Sequence, residues 1–308
     1  MNIVQFIGAI ELGLIFGLVA MGVYISFRIL DFPDLTADGS FPLGAAVSGT
    51  LIIANYDPWT ATLAAMICGA AAGLFTAWLN TRWKILHLLA SILTMTALYS
   101  INLRIMGKPN LAIMSEDTVF TKFSNEVIKL TGPVMDHGNI LVVFLVIITA
   151  LVIFGLSRFF SSEVGLAMRA TGKSPRMATA QGIRIGAMTL LGIAMSNAII
   201  ALSGSLFTQT HGFADISMGT GTIIVGLAAV IIGEAIMHTR SILIALFACV
   251  IGSILYRMVI ALALNSDFLG LEASDERMVT AGLVALAMIL SHAKSPIKNL
   301  LNKKRSAI

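Results

Sequence analysis

Ile140-Leu-Val-Val-Phe-Leu-Val-Ile-Ile-Thr-Ala-Leu-Val-Ile-Phe154 is apolar at every position except Thr149. It carries neither the period-two alternation of a half-buried strand nor the single stripe of a surface helix. A helix that is hydrophobic all round belongs in a bilayer or in the core of a large protein. This run lies within 139–157, and similar ones fall at 3–27, 40–54, 59–80, 86–105, 186–207, 221–237, 241–260 and 278–292. Membrane barrels instead use strands of about ten residues that alternate apolar and polar, and the runs do not alternate. The sequence predicts an all-α, polytopic membrane protein of about nine transmembrane helices, one of them broken, in a single transmembrane domain over residues 1–308.

Composition agrees. Charged residues make up 12% of the 308 and hydrophobic ones 57%, with a mean hydropathy of +0.91, whereas soluble domains are about 25% charged. Nine spans of about 20 residues leave roughly 130 for loops and tail, too few for an attached soluble catalytic domain. The net charge of +4 does not indicate nucleic acid, because the 20 Lys and Arg are dispersed between apolar runs and form no basic face. They set topology instead. With the C-terminus in the cytoplasm, 14 of those 20 fall in the internal segments 28–39, 81–85, 158–185, 238–240 and 293–308, as expected where basic residues mark cytoplasmic loops. An odd span count then gives an N-out, C-in orientation. Met1 to Ala9 lack Lys, Arg and a small-residue cleavage site, so the first span is expected to be retained. Cys68 and Cys249 sit inside apolar runs as small hydrophobes, which implies neither a disulfide frame nor a metal site.

Two loops are longer than connection requires, and long loops carry function. The outer one, 106–138, contains Pro109, Gly132 and Pro133 and has room for short helices on the membrane surface. The inner one, 158–185, is the most basic part of the chain before its tail. The tail, 293–308, suits anchoring to anionic headgroups. Small residues at Gly69–Gly73, Ser203–Ser205 and Gly219–Gly221 permit close helix approach.

Between the first two spans, Arg28-Ile-Leu-Asp-Phe-Pro-Asp-Leu-Thr-Ala-Asp-Gly-Ser-Phe-Pro-Leu-Gly44 concentrates three carboxylates, two prolines and two glycines. Pro33 and Pro42 each remove a backbone donor and disfavour helix before them, so the backbone is expected to open, with Ser40 or Asp38 capping the helix that follows. Irregular backbone at membrane depth requires protein or a water-filled cavity around it. The segment therefore reads as a broken helix lining a path rather than a solvated loop. A second polar stretch is Leu89-Ala-Ser-Ile-Leu-Thr-Met-Thr-Ala-Leu-Tyr-Ser-Ile-Asn-Leu-Arg104. Ser91, Thr94, Tyr99 and Asn102 form a rough stripe that is either interhelical hydrogen bonding or a pore lining.

Ala167-Met-Arg-Ala-Thr-Gly-Lys-Ser174 ends like a phosphate-cradling loop, yet Ala167 stands where the first glycine belongs and no buried strand precedes it. The five histidines are scattered singly, and no metal-ligand or nucleophile motif is present. No metal, no cofactor and no catalytic residue is expected. The inner loop reads instead as two short helices: Ser162 and Glu163 start the first, Gly172 ends it, Pro175 opens the second and Gly182 ends that. Its small residues make a slim body able to enter a partner's groove, with Arg169, Lys173 and Arg176 offering charge.

The pattern Gly165-x-Ala-x-Arg169-Ala-x-Gly172, followed by Ala178 and Gly182-Ile183, resembles the coupling loop of permeases in the branched-chain amino acid and ribose class of ABC importers. Asp34-Leu-Thr-Ala-Asp-Gly-Ser-Phe-Pro-Leu-Gly44 and Leu93-Thr-Met-Thr-Ala-Leu-Tyr-Ser-Ile-Asn-Leu-Arg-Ile-Met-Gly107 resemble the subgroup associated with tryptophan or tyrosine uptake. The likeness runs from about residue 11 to residue 290. It implies a non-enzymatic membrane subunit of the bacterial inner membrane. ATP is bound by a cytoplasmic ATPase partner, solute arrives on an extracytoplasmic binding protein, and a second permease copy completes a homodimer. By this resemblance Asp34, Asp38, Thr94, Thr96, Tyr99 and Asn102 are expected along the transport path. Glu163, Gly165, Arg169, Gly172, Arg176 and Gly182 are expected to couple to the ATPase. The alternative is an ion-coupled secondary transporter, which needs ionisable groups near mid-span; Glu11 and Glu234 lie toward helix ends.

Overall fold

The computed structural model describes residues 3–113, 116–131, 137–237, 241–264, 278–282 and 285. Helix α1 (Ile3–Val23) runs on through a wider π-helical turn, Tyr24–Ile29. It stops where Asp31 takes φ +53° and Pro33 removes the next backbone donor. After the break come α2 (Ala37–Ile53), α3 (Pro58–Trp83) and α4 (His87–Met106). Asp57 caps α3 by accepting from the Trp59 amide at 3.1 Å, with Pro58 as the first helical residue. A two-stranded ribbon joins distant parts of the chain: β1 (Asn110–Ala112) pairs antiparallel with β2 (Phe213–Asp215). Between them lie α5 (Val119–Thr131), α6 (His137–Phe160), α7 (Glu163–Lys173), α8 (Pro175–Ala180) and α9 (Ile185–His211). A short 3-10 turn, Ile216–Gly219, leads to α10 (Thr222–Ile236), and α11 is Ile242–Leu264.

Eight of the nine expected spans coincide with helices, and seven of those helices are long and apolar enough to cross a membrane. The chain is thus all-α in its body and polytopic. The eighth, α2, has only 17 residues. The ninth span, 278–292, lies outside the described residues except 278–282 and 285, as does the tail 293–308. Large apolar side chains turn outward on the long helices, among them Ile67, Leu151 and Phe154, each more than two-thirds exposed. Trp59 sits at one end of α3 and Trp78 and Trp83 at the other, the placement of aromatic belts at two interfaces.

Lipid gives apolar helices little drive to associate, so contact rests on close packing and polar pairs. Helix α9 is the centre, flanked by α1, α2 and α3. At Gly204 of α9 an added Cβ would fall 1.9 Å from the Phe41 carbonyl oxygen, and at Gly44 of α2 2.0 Å from that of Ala201. The two backbones touch, which is what the small-residue clusters predicted. Phe41 also stacks on Phe16 and meets Phe207, with ring centroids 5.6 and 5.8 Å apart.

The molecule has two distinct ends. The sheet end carries the β ribbon, the α2–α3 turn and α5, whose Phe120 and Phe123 rest on Phe144 of α6. The loop end carries the break after Ile29, the α3–α4 turn and the α7–α8 pair. The loop 106–138, expected on the outer side, holds one 13-residue helix among its described residues; residues 114, 115 and 132–136 lie outside the described set.

Candidate functional site

From Asp34 onward the break between α1 and α2 is largely buried and hydrogen-bonded. Asp34 and Thr36 are buried, 1% and 0% exposed. One Asp34 oxygen accepts from the Thr36 amide at 2.9 Å, and the other accepts from Asn197 Nδ2 at 2.7 Å. The Asn197 amide oxygen in turn accepts from Ser40 Oγ at 2.7 Å, while the hydroxyls of Thr36 and Thr76 are 2.8 Å apart. Asn102 Nδ2 donates to the Gly39 carbonyl at 3.2 Å. The first turn of α2 is therefore a hub to which α3, α4 and α9 each send one polar side chain. Asp34 stands just before the N-terminus of α2, where the helix dipole favours negative charge.

Asp38 does not cap its own helix. Its carboxylate accepts from the backbone amides of Gly221 and Ile223, 3.1 and 2.8 Å away, and so caps α10. Nor does Pro42 keep the residues before it out of a helix, as expected: it lies inside α2, which already starts at Ala37. A proline there costs one helical hydrogen bond, the one to the carbonyl four residues back. That carbonyl, on Asp38, abuts Gly219, where a Cβ would lie 2.0 Å from it. Only a glycine lets the turn before α10 approach so closely. Ser40 likewise donates to Asn197 instead of capping α2.

The six expected path residues divide into two groups. Asp34, Thr94 and Asn102 are buried and Asp38 is half-buried, all around the hub; Thr94 donates back to the Ala90 carbonyl at 3.0 Å. Thr96 and Tyr99 lie on the opposite, exposed face of α4, Tyr99 at 56% exposure. The supposed single stripe fails by arithmetic. Five residues advance a helix by roughly 500°, so Tyr99 lies about 140° round from Thr94. Ser91, Thr94 and Asn102 are the interhelical face, and Thr96, Tyr99 and Ser100 an outward polar one.

At the loop end, α7 and α8 form as predicted, with Ser162 accepting from the Gly165 amide. Gly172 does not end α7, which continues to Lys173. Its role is contact: a Cβ there would fall 1.9 Å from the Ile29 carbonyl oxygen and 2.9 Å from Leu30 Cα. Gly165 likewise abuts the end of α6, 2.3 Å from the Phe159 carbonyl oxygen by the same measure. Gly182, at φ +79°, turns the chain after α8. Glu163 and Arg176 are exposed and Arg169 half-buried. Arg28, on the π-helical turn, pairs with Glu234 near the end of α10.

Two features escaped the sequence reading. Asn197 centres the hub, and its signal was available as a lone amide inside an apolar run. Val164, Leu166 and Met177 are exposed on the α7–α8 loop, at 43%, 52% and 65%, so this surface has large apolar anchors as well as small residues. Among the described residues, no cluster of His, Cys, Asp and Glu could hold a metal.

The chain matches a family model described as a permease component of branched-chain amino acid transport systems over residues 6–292. The chain belongs to that family. This permease is 37% identical over 276 residues to a tyrosine transport system permease protein of Clostridioides difficile (strain R20291), covering 90% of the chain and 87% of the relative. It is 32% identical to the protein RP368 of Rickettsia prowazekii (strain Madrid E) over 96% of the chain and 99% of that protein. A fructose import permease of Bifidobacterium longum (strain NCC 2705) shares 23% over 86% of the chain and 77% of its own length. No solved structure matches it. Membership makes this a multi-pass transport subunit of the ABC type, a class that works with ATP-binding subunits and solute-binding proteins.

Proposed function

We propose that this permease is the membrane subunit of an ATP-driven importer in the bacterial inner membrane. Two copies form a homodimer with the path between them. ATP is hydrolysed on a cytoplasmic partner, and an extracytoplasmic binding protein delivers an aromatic amino acid, the solute class suggested by the tyrosine-named relative. In this reading nine spans run N-out and C-in, with the sheet end outside and the loop end in the cytoplasm. Thr96 and Tyr99 face the path. Asp34, Asp38, Thr94 and Asn102 act one layer behind, as the hub whose shift opens or closes it. Glu163, Arg169 and Arg176, with the apolar Leu166 and Met177, grip the ATPase.

The observation that carries this reading is the joint at Gly172. An exposed helical loop rests backbone to backbone on Ile29, five residues before the buried Asp34, so a push on the loop reaches the hub without a flexible side chain between. The test is uptake into proteoliposomes holding the permease and its ATPase partner. Labelled tyrosine, presented on the binding protein, accumulates with internal ATP and continues to do so after an ionophore collapses the proton gradient. Uptake that stops with the gradient and ignores ATP would establish the ion-coupled alternative instead.

A further inference from the structure

At the loop end a cavity of about 560 Å³ opens between four segments: the break at Leu30–Phe32, the α3–α4 turn, the α7–α8 junction and the start of α9. Its size falls within the roughly 300–1,000 Å³ of small-ligand sites. Asp31 and Lys173 both line it and both are exposed, and among the described residues neither is in an ion pair. His87 contributes a ring stacked on buried Phe32, centroids 4.3 Å apart, and lies within electrostatic reach of Asp31. The hydroxyls of Thr171 and Thr189, each donating to a helix carbonyl, keep their acceptor capacity. Asp31 holds a left-handed φ of +53°, the kind of local strain that gathers at ligand clamps. One unpaired carboxylate, one unpaired ammonium and an aromatic wall suit a ligand bearing both charges and a ring.

We propose that this cavity is a second site, facing the cytoplasm, for a zwitterionic aromatic α-amino acid, whose occupancy slows import. Asp31 takes the ammonium and Lys173 the carboxylate. A ligand held by both ties the break to the inner loop beside the Gly172–Ile29 joint, so it holds still the contact through which the ATPase stroke passes. Accumulated product thus restrains its own uptake. The inference rests on the orientation and solute class given under Proposed function.

The test uses the whole transporter in proteoliposomes, with L-tyrosine loaded in the lumen beside ATP and the initial uptake rate measured. Lumenal tyrosine slows the unmodified protein severalfold. Asp31→Asn, which keeps a residue at ease with positive φ, raises the half-inhibitory concentration about tenfold or more, the loss expected for one charged hydrogen bond. Its uninhibited rate stays close to normal. Tyramine and 3-(4-hydroxyphenyl)propionate, each lacking one charge, inhibit at least as weakly. Uptake indifferent to lumenal tyrosine, or inhibited equally in Asp31→Asn, overturns the proposal. A separate readout is calorimetric titration of L-tyrosine into the complex in nanodiscs without binding protein. Asp31-dependent heat there, with no ATP-driven uptake, retains the site while the import reading falls; normal uptake with no Asp31-dependent heat removes the site alone.

Discussion

Asp34 is a carboxylate with no cation among its described hydrogen-bond partners, held by the backbone amide of Thr36 and the side-chain amide of Asn197. Two replacements separate its charge from its geometry. Asn at 34 keeps an acceptor for the Thr36 amide, and rotation of the Asn197 amide restores the second bond, with the Ser40 hydroxyl then accepting from Asn197 instead of donating to it. Leu leaves two buried donors unsatisfied, at about 1–3 kcal/mol each. Thermal unfolding in detergent is therefore expected to shift little for Asp34→Asn and by several degrees for Asp34→Leu; equal shifts would mean that the charge itself holds the hub. On α4, Tyr99→Ala removes an exposed ring and leaves the packed face intact. It should lower uptake without lowering thermal stability, and a stability loss as large as that of Asn102→Leu would place Tyr99 in a packed contact instead. At the sheet end, Lys122 beside Asp57 holds its carboxyl below the usual carboxylate range. A depressed folded value means that the tether of α5 to the start of α3 is complete above the ordinary carboxylate pKa of about 4. It is lost as pH falls through the lower folded value. Proteolysis within 116–131 should accelerate below that range in the native protein, and in Asp57→Asn already at neutral pH.

Among the elements, α7 and α8 supply the sharpest expectations. Gly172→Ala forces a methyl against the Ile29 backbone, an overpacking of about 1–3 kcal/mol. The ATPase partner should still co-purify while solute-stimulated ATP turnover falls, because the exposed grip is unchanged and only the joint beneath it is displaced. Leu166→Asp with Met177→Asp should do the reverse and abolish co-purification from a normally folded protein. Of these features, α7 and α8 were legible because Ser162, Pro175 and Gly182 are local signals for caps and turns. Gly172 was misread as a stop, since a glycine that ends a helix and one that lets two backbones touch look alike in a sequence. The break after Ile29 was legible from Pro33 and its carboxylates. The partner of Asp38 was not, because it is the start of a helix more than 180 residues away. The grouping of Thr94 with Tyr99 was an error that the pitch of a helix already contradicts.

For the molecule as a whole, the length of the apolar runs sufficed to locate eight helices because each is fixed by its own composition, whereas their arrangement depends on contacts such as Gly44 on Ala201 that no local pattern states. Asp38 has a consequence at this scale. It belongs to the first turn of α2 and anchors the first turn of α10, with Gly219 clasped against its carbonyl. Neither short helix can fray at its start without exposing the other's end groups. Their amides should exchange with deuterium as one cooperative unit, slower than those of peripheral α4. In Asp38→Ala that unit should divide, α10 exchanging first and α2 keeping its protection.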